Sequence, residues 1–359
     1  MTFSIKALLL PLLLSCLYFL PVGSPQTDKN GPEPNCSGPV FHDKIMKSSD
    51  GGKSWEAIGQ GLPSNMKLSA SRAVGDDLMV ASNLDHIFVK NVPSCSSWQQ
   101  TRPDYDTKFK ETGISLLVQD FYPVSSGIFM YVSKAGLFKM ENGSTEWTHF
   151  NAPEEELMVN EIMEDENGEL YLACSEGLFK SPDQGNSWKR LPLAGYIYSL
   201  DIRDDVLFAT GEYGIFKSKD GGKAWSKIFT PNDKYTFTYP DGDKYYYLIP
   251  AGEDMVAHRH QTSGNIGFAG KLLISHDNGD TWDIHPADHY LKDLEAIVSI
   301  IVDENEDMYV SYKEGVVKST DNGKTWGKIL DYEQSQMSMG IFLSLSNGVL
   351  YCTEANAGC

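Results

Sequence analysis

Short apolar runs separated by tight polar turns recur along almost the whole chain, and within each run the side chains alternate with a period of two. In one stretch Glu161-Ile162-Met163 gives way to a turn at 164–168. Then come Glu169-Leu170-Tyr171-Leu172-Ala173, a second turn at Ser175-Glu176-Gly177, and Leu178-Phe179-Lys180. Alternation over a few residues, bounded by Gly, Asp and Asn, predicts β-strands joined in hairpins. The segments 78–90, 206–217 and 308–318 follow the same plan.

Each such unit runs into the same turn. The signature S-x-D-x-G-x-x-W occurs at 48–55, 181–188, 218–225, 275–282 and 319–326. Two further copies keep only the frame: Gly136-Leu137-Phe138-Lys139 leads to Trp147, and Ile87-Phe88-Val89-Lys90 leads to Trp98. All seven Trp end a copy, at spacings of 43, 49, 41, 37, 57 and 44 residues, the length of a four-stranded propeller blade with its turns. The chemistry predicts a structural turn. The carboxylates of Asp50, Asp183, Asp220, Asp277 and Asp321 accept backbone N–H groups, and the Gly supplies positive φ. Trp55, Trp188, Trp225, Trp282 and Trp326 pack their apolar faces into the blade.

The signature resembles the Asp-box (BNR repeat) of propellers of the sialidase-like, photosystem-assembly-factor-like and sortilin-like kinds. The resemblance spans essentially the whole mature chain. It implies an all-β, seven-bladed β-propeller with four-stranded blades, the box lying between third and fourth strands on the face opposite the ligand site. It is specific for fold and not for function. The sialidase set of three arginines, a Tyr nucleophile with a Glu partner and an acid Asp is not recognisable around Arg72, Arg102, Arg190, Arg203 and Arg259, the only five Arg. The arginine-rich patch of the photosystem-assembly members is missing too, and sortilin-like receptors have more blades and a membrane span.

The ends of the chain predict how the ring closes. After Trp326 two more strand-like runs follow, at 339–345 and 349–353, without a box, while the first blade starts near Val40 with only its two outer strands. One blade is therefore expected to be shared by both termini, which brings Cys36 and Cys359 together as a disulfide candidate, with Cys352 as competing partner. The organisation expected is a signal peptide at 1–23, a flexible segment at 24–35 and a single propeller at 36–359. Lys6, the apolar run to Leu20 and the small residues Val22, Gly23 and Ser24 carry the signal reading. Export makes the protein secreted or periplasmic. Leu13-Leu14-Ser15-Cys16 is the alternative, a lipobox that would leave a lipoprotein anchored through Cys16.

Charge narrows the partners. Asp and Glu number 49 against 30 Lys and Arg, for a net charge of -19, which repels nucleic acid and anionic lipid. No membrane span, cofactor or metal site is expected, and the protein is read as a monomer. Gly52-Lys53-Ser54 and Gly323-Lys324-Thr325 mimic a P-loop end but lack its first Gly, and there is no H-E-x-x-H or G-x-S-x-G.

The 57-residue interval between Trp225 and Trp282 carries the candidate site. Insertions at 231–243 and 261–270 flank Tyr245-Tyr246-Tyr247 and His258-Arg259-His260, and add Tyr235 and Tyr239. Rings with polar handles suit glycans and peptides. His285 and His289, with Asp288 and Tyr290, form a second cluster on the next inter-blade loop. The structural alternative for His258 and His260 is packing against the next blade. The function expected is a non-catalytic propeller binding an extracellular or periplasmic protein or glycan on the face opposite the boxes. The alternative is a glycan-processing enzyme, a glycoside hydrolase or polysaccharide lyase, that is not a standard sialidase.

Overall fold

The computed structural model describes residues 45–82, 86–94, 96–103, 116–150, 152–154, 157–211, 214–229, 244–251, 254–261, 272–285, 297–312, 315–331 and 338–356. All belong to one compact unit, Cys36–Cys359. They form seven four-stranded antiparallel sheets.

Near the N-terminus lie β1 (Ile45–Ser48) and β2 (Glu56–Ala57). One sheet then holds β3 (Ala70–Val74), β4 (Asp77–Ala81), β5 (Ile87–Asn91) and β6 (Gln99–Thr101). The next holds β7 (Val118–Val124), β8 (Gly127–Val132), β9 (Gly136–Glu141) and β10 (Thr148–Phe150). It is followed by β11 (Val159–Glu164), β12 (Leu170–Cys174), β13 (Gly177–Ser181) and β14 (Lys189–Arg190). Then come β15 (Ile197–Arg203), β16 (Val206–Gly211), β17 (Gly214–Ser218) and β18 (Ser226–Phe229). The fifth set is β19 (Lys244–Ala251), β20 (Asp254–Gln261), β21 (Leu272–Ser275) and β22 (Asp283–His285). The sixth is β23 (Ile297–Val302), β24 (Met308–Tyr312), β25 (Gly315–Ser319) and β26 (Gly327–Asp331). The chain finishes with β27 (Ser338–Ser346) and β28 (Val349–Asn356), which join β1 and β2 in the order β2-β1-β28-β27.

The last sheet is thus built from both ends of the described chain. Ile45 stands opposite Thr353, Met46 opposite Cys352, Lys47 opposite Tyr351 and Ser48 opposite Leu350. The first strands of the sheets are neighbours in turn: β3 touches β7, then β11, β15, β19, β23 and β27 follow, and β27 touches β3.

The repeated turn closes between third and fourth strands through two hubs. Ser319 donates its hydroxyl to Asp321 Oδ1 (2.8 Å) and accepts the Gly323 N–H (2.9 Å). Asp321 accepts the Thr325 N–H (2.8 Å) at one oxygen and the Thr325 hydroxyl (2.6 Å) at the other. Ser48, Ser181, Ser218 and Ser275 hold Gly52, Gly185, Gly222 and Gly279 in the same way. The serine, at the head of the signature, is as central as the Asp.

The Trp packing differs from a purely intra-blade role. Trp55 donates its indole N–H to Ile329 O (3.0 Å), Trp98 to Ile58 O (3.1 Å) and Trp147 to Thr101 Oγ1 (2.5 Å), each on the preceding sheet. Trp98 and Trp147 lie in apolar clusters that mix residues of two neighbouring sheets. Trp225, Trp282 and Trp326 instead donate to Gly222 O, Gly279 O and Gly323 O inside their own turns, so the indole N–H links sheet to sheet at Trp55, Trp98 and Trp147 and clasps the turn itself at the other three.

A second repeated device sits one residue before the signature. Lys139, Lys180, Lys217 and Lys318 extend over the rings of their cross-strand partners Phe129, Tyr171, Phe208 and Tyr309 at 4.9–5.4 Å. Each ammonium also meets a carboxylate, as in Lys180–Glu169 (2.5 Å) and Lys318–Asp307 (2.7 Å). Burying these amphipathic side chains is tolerable because ring face and carboxylate both compensate the charge.

Cys352 is a buried free thiol inside β28, as is Cys174 in β12. Cys352 therefore does not take the place of competing disulfide partner: its strand pairs on both sides, which keeps the side chain within the packed sheet. Cys36, Cys359 and Cys16 lie outside the described residues. Among the described residues no helix is long and apolar enough to cross a membrane.

Candidate functional site

Five of the seven first strands carry the same irregularity close to their start. The register slips between Val118 and Asp120, Val159 and Glu161, Ile197 and Ser199, Ile297 and Ser299, and Ser338 and Gly340. A bulge leaves one residue unpaired and re-aims the side chains beside it. Here Gln119, Asn160, Tyr198, Val298 and Met339 are the unpaired residues, and the first four line a cavity of about 470 Å³ between the first strands.

Polar groups occupy one side of this cavity. Arg72 on β3 donates from its Nη2 to Asp120 Oδ2 on β7 (2.7 Å) and from Nε to Phe121 O (3.2 Å). Asp120 Oδ1 also accepts the Phe121 N–H (2.7 Å). Tyr122 donates to Val159 O (3.2 Å), and Asn160 donates through Nδ2 to Ile197 O (2.6 Å). Glu161 accepts the Leu200 N–H at Oε2 (2.7 Å). Ser71, Ser199 and Ser299 add hydroxyls, and Tyr198 stacks on Tyr196 with ring centroids 4.6 Å apart. Val298, Ile301, Phe342 and Leu343 make an apolar wall from β23 and β27.

Glu161 is the lining carboxyl that the site brings near neutrality. Desolvation pushes its carboxyl up to about 7, against the opposing pull of the Leu200 N–H and of Arg72. Nearby on β15, Asp201 is buried and bonded to Arg203 (2.6 Å), and burial likewise raises its carboxyl above the ordinary value. A carboxyl that holds or releases its proton near neutrality can donate or accept a hydrogen bond, and can serve as general acid or base.

The residues singled out from the long interval fall as follows. Tyr245, Tyr246 and Tyr247 occupy β19, a first strand, and stand opposite His260, Arg259 and His258 of β20. Counted back from the serine of each turn, Leu272 corresponds to Leu178, Ile215 and Val316, and the register then places Tyr247 level with Glu161, Ser199 and Ser299. Tyr235, Tyr239 and His289 lie outside the described residues, as do 231–243 and 262–270. His285 is not on an inter-blade loop. It ends β22 opposite Leu272, because Asp283-Ile284-His285 continues the alternating strand that follows Trp282.

The cavity residues Arg72, Asp120, Asn160, Glu161, Ser199 and Ser299 were not singled out as a site from the sequence. Their signal is an apolar-x-polar triplet where a first strand begins: Val118-Gln119-Asp120, Val159-Asn160-Glu161, Ile197-Tyr198-Ser199 and Ile297-Val298-Ser299. Strict alternation hides it, since the bulge is what turns a strand residue toward the cavity.

No protein-family model matches the chain, and no curated protein matches it. Among solved structures it is similar to an extracellular domain from B. thetaiotaomicron, at 12% identity and a TM-score of 0.53 over 77% of this chain and 42% of that one. It is similar to YCF48 from Cyanidioschyzon merolae, at 13% identity and a TM-score of 0.54 over 80% of this chain and 95% of that one. It also resembles an ancestral GH74 enzyme, at 15% identity and a TM-score of 0.56 over 86% of this chain and 45% of that one. The chain thus spans less than half the length of the first and third. These likenesses show the fold, which is that of a β-propeller.

Proposed function

We propose that the chain is an exported, seven-bladed propeller of the Asp-box kind, closed through β1 and β28, which binds a glycan or protein in the cavity between its first strands. The observation that carries the binding reading is the set of bulges that turns polar side chains from successive strands into one cavity. Repetition of a costly irregularity at equivalent places fits a shaped site better than chance packing. The cavity lies where the first strands begin, the end opposite the third-to-fourth turns, so the structural turns and the site do not compete for the same surface. Neighbours of this fold serve both binding and chemistry: YCF48 has been solved bound to a D1 peptide, and the GH74 protein is an enzyme. Tyr245, Tyr246, Tyr247, His258, Arg259 and His260 extend the proposed site along the fifth sheet.

The test is incubation of the purified protein with panels of extracellular polysaccharides and peptides, following both retention and product release. Retention without products is expected, weakened at least tenfold by Ser299→Trp, which fills the cavity. Retention indifferent to that substitution would remove the cavity from the proposal.

A second reading, a glycan-processing hydrolase, is favoured by one observation. Glu161, raised to about 7, stands in the same cavity as the ion-paired Asp120, the combination of proton donor and carboxylate that glycoside hydrolysis uses. Product release abolished by Glu161→Gln would establish it.

A further inference from the structure

The charges lining the cavity are unequally paired. Its one guanidinium is turned to the protein, Arg72 bonding to Asp120 and to Phe121 O, while Asn160 Nδ2 bonds to Ile197 O and the Tyr122 hydroxyl to Val159 O. Its two carboxylates differ. Asp120 has both oxygens engaged and is paired with Arg72, but Glu161 uses only Oε2, for the Leu200 N–H, and no ion pair to it is present among the described residues. Ionised, the lining carries two carboxylates and one guanidinium, so a negative charge is left over.

Opposite that charge the wall is apolar apart from the Ser299 hydroxyl. In the order of neighbouring first strands β11 stands across from β23 and β27, which present Val298, Ile301, Phe342 and Leu343 to the cavity. A carboxylate in such a place is stabilised when an incoming cation supplies the missing donor. The apolar wall excludes a fully hydrated metal ion as the natural fit and suits a hydrocarbon stem.

We propose that the cavity is selective for an ammonium or guanidinium group carried on an aliphatic stem, its cation against Glu161 and its stem against Phe342 and the β23 residues. The proposal rests on the reading of this cavity as the binding site, and narrows its ligand to one chemical class. A lysine or arginine side chain of a protein partner and a free alkylamine share that chemistry. An overall charge of -19 draws either toward the protein.

Protonation of Glu161 controls the fit. The charged and titratable groups around it are Arg72 from β3, Asp120 and Tyr122 from β7, and Asp201 with Arg203 from β15. On β12 its cross-strand partner is Ala173, which does not titrate. Arg72 and Asp120 are paired to each other, and Asp201 to Arg203, so Glu161 is the described member left to meet a cation.

Calorimetric titration of the full chain with n-butylammonium and n-butylguanidinium tests this, against the neutral isostere n-butanol and the anion butyrate. Peptides carrying lysine, or norleucine in its place, distinguish a protein side chain from a free amine as source. The cations are expected to bind at least tenfold tighter than butanol and butyrate. Their affinity should rise about tenfold from pH 6 to pH 8 as Glu161 ionises, fall at least tenfold in Glu161→Gln, and vanish in Ser299→Trp. Unchanged near-ultraviolet circular dichroism shows that the variants are folded. Equal binding of butylammonium and butanol, or cation binding indifferent to Glu161→Gln, overturns the proposal. If a neutral or anionic ligand binds and is blocked by Ser299→Trp, only the cation selectivity fails. If nothing in either panel responds to Ser299→Trp, the site itself fails.

Discussion

At the scale of single residues, Glu161 shows how the same burial that prepares a group for chemistry also weakens the fold. Its carboxyl titrates near 4.5 when exposed and near 7 in the folded protein. Folding therefore favours the protonated form. The stability this gives is complete below about pH 4.5 and is lost as pH rises through 7. Glu161→Gln should match the parent in urea unfolding at pH 4 and exceed it at pH 8, by at most about 3 kcal/mol on the conversion of 1.36 kcal/mol per pH unit. Equal midpoints at pH 8 would show that the carboxylate is not desolvated. The turn aspartates carry the opposite sign. Hydrogen bonds from Thr281 and Thr325 pull Asp277 and Asp321 down to about 2, so their contribution is present above the ordinary value of 3.8 and disappears as pH falls toward 2.

At the scale of elements, the turn is both a hairpin clasp and an inter-sheet contact. Gly222 sits at φ +83°, and a Cβ there would lie 2.6 Å from Leu191 Cδ1 on the preceding sheet. Gly222→Ala combines backbone strain with a clash, and should lower stability by about 1–3 kcal/mol in urea unfolding. Gly348→Ala, at φ +73° with nothing within 4 Å, isolates the backbone part and should cost less. Equal losses would mean that the sheet-to-sheet contact contributes nothing. The turn was legible from Ser319-x-Asp321-x-Gly323-x-x-Trp326 because its hydrogen bonds join residues at most four apart. That Trp147 bonds to Thr101 was not, since its partner lies far away in sequence on another sheet.

At the scale of the whole molecule, one sheet depends on strands from both ends of the described chain. Ending the chain after Ser346 removes β28, which leaves β27 unpaired and β1 with β2 alone. Loss of the sharp urea transition and of near-ultraviolet circular dichroism is expected; an unchanged transition would show that the other six sheets hold alone. The pairing was foreseeable from strand counting, because a sheet with two strands at one terminus and two at the other has few ways to satisfy its edges.

The sequence by itself determined the strand rhythm and the turn chemistry, which rest on local alternation and on contacts within a few residues, and it implied the sharing of one sheet between both ends of the described chain through the count of strands. The tertiary structure alone decided the cavity. Arg72, Asp120, Glu161, Ser199 and Ser299 come from five strands of five sheets and meet only where those strands converge, after a one-residue slip in four of them. A slip of one residue reverses which side of a strand a side chain occupies, so alternation read along the chain could not show which polar residues would face one another.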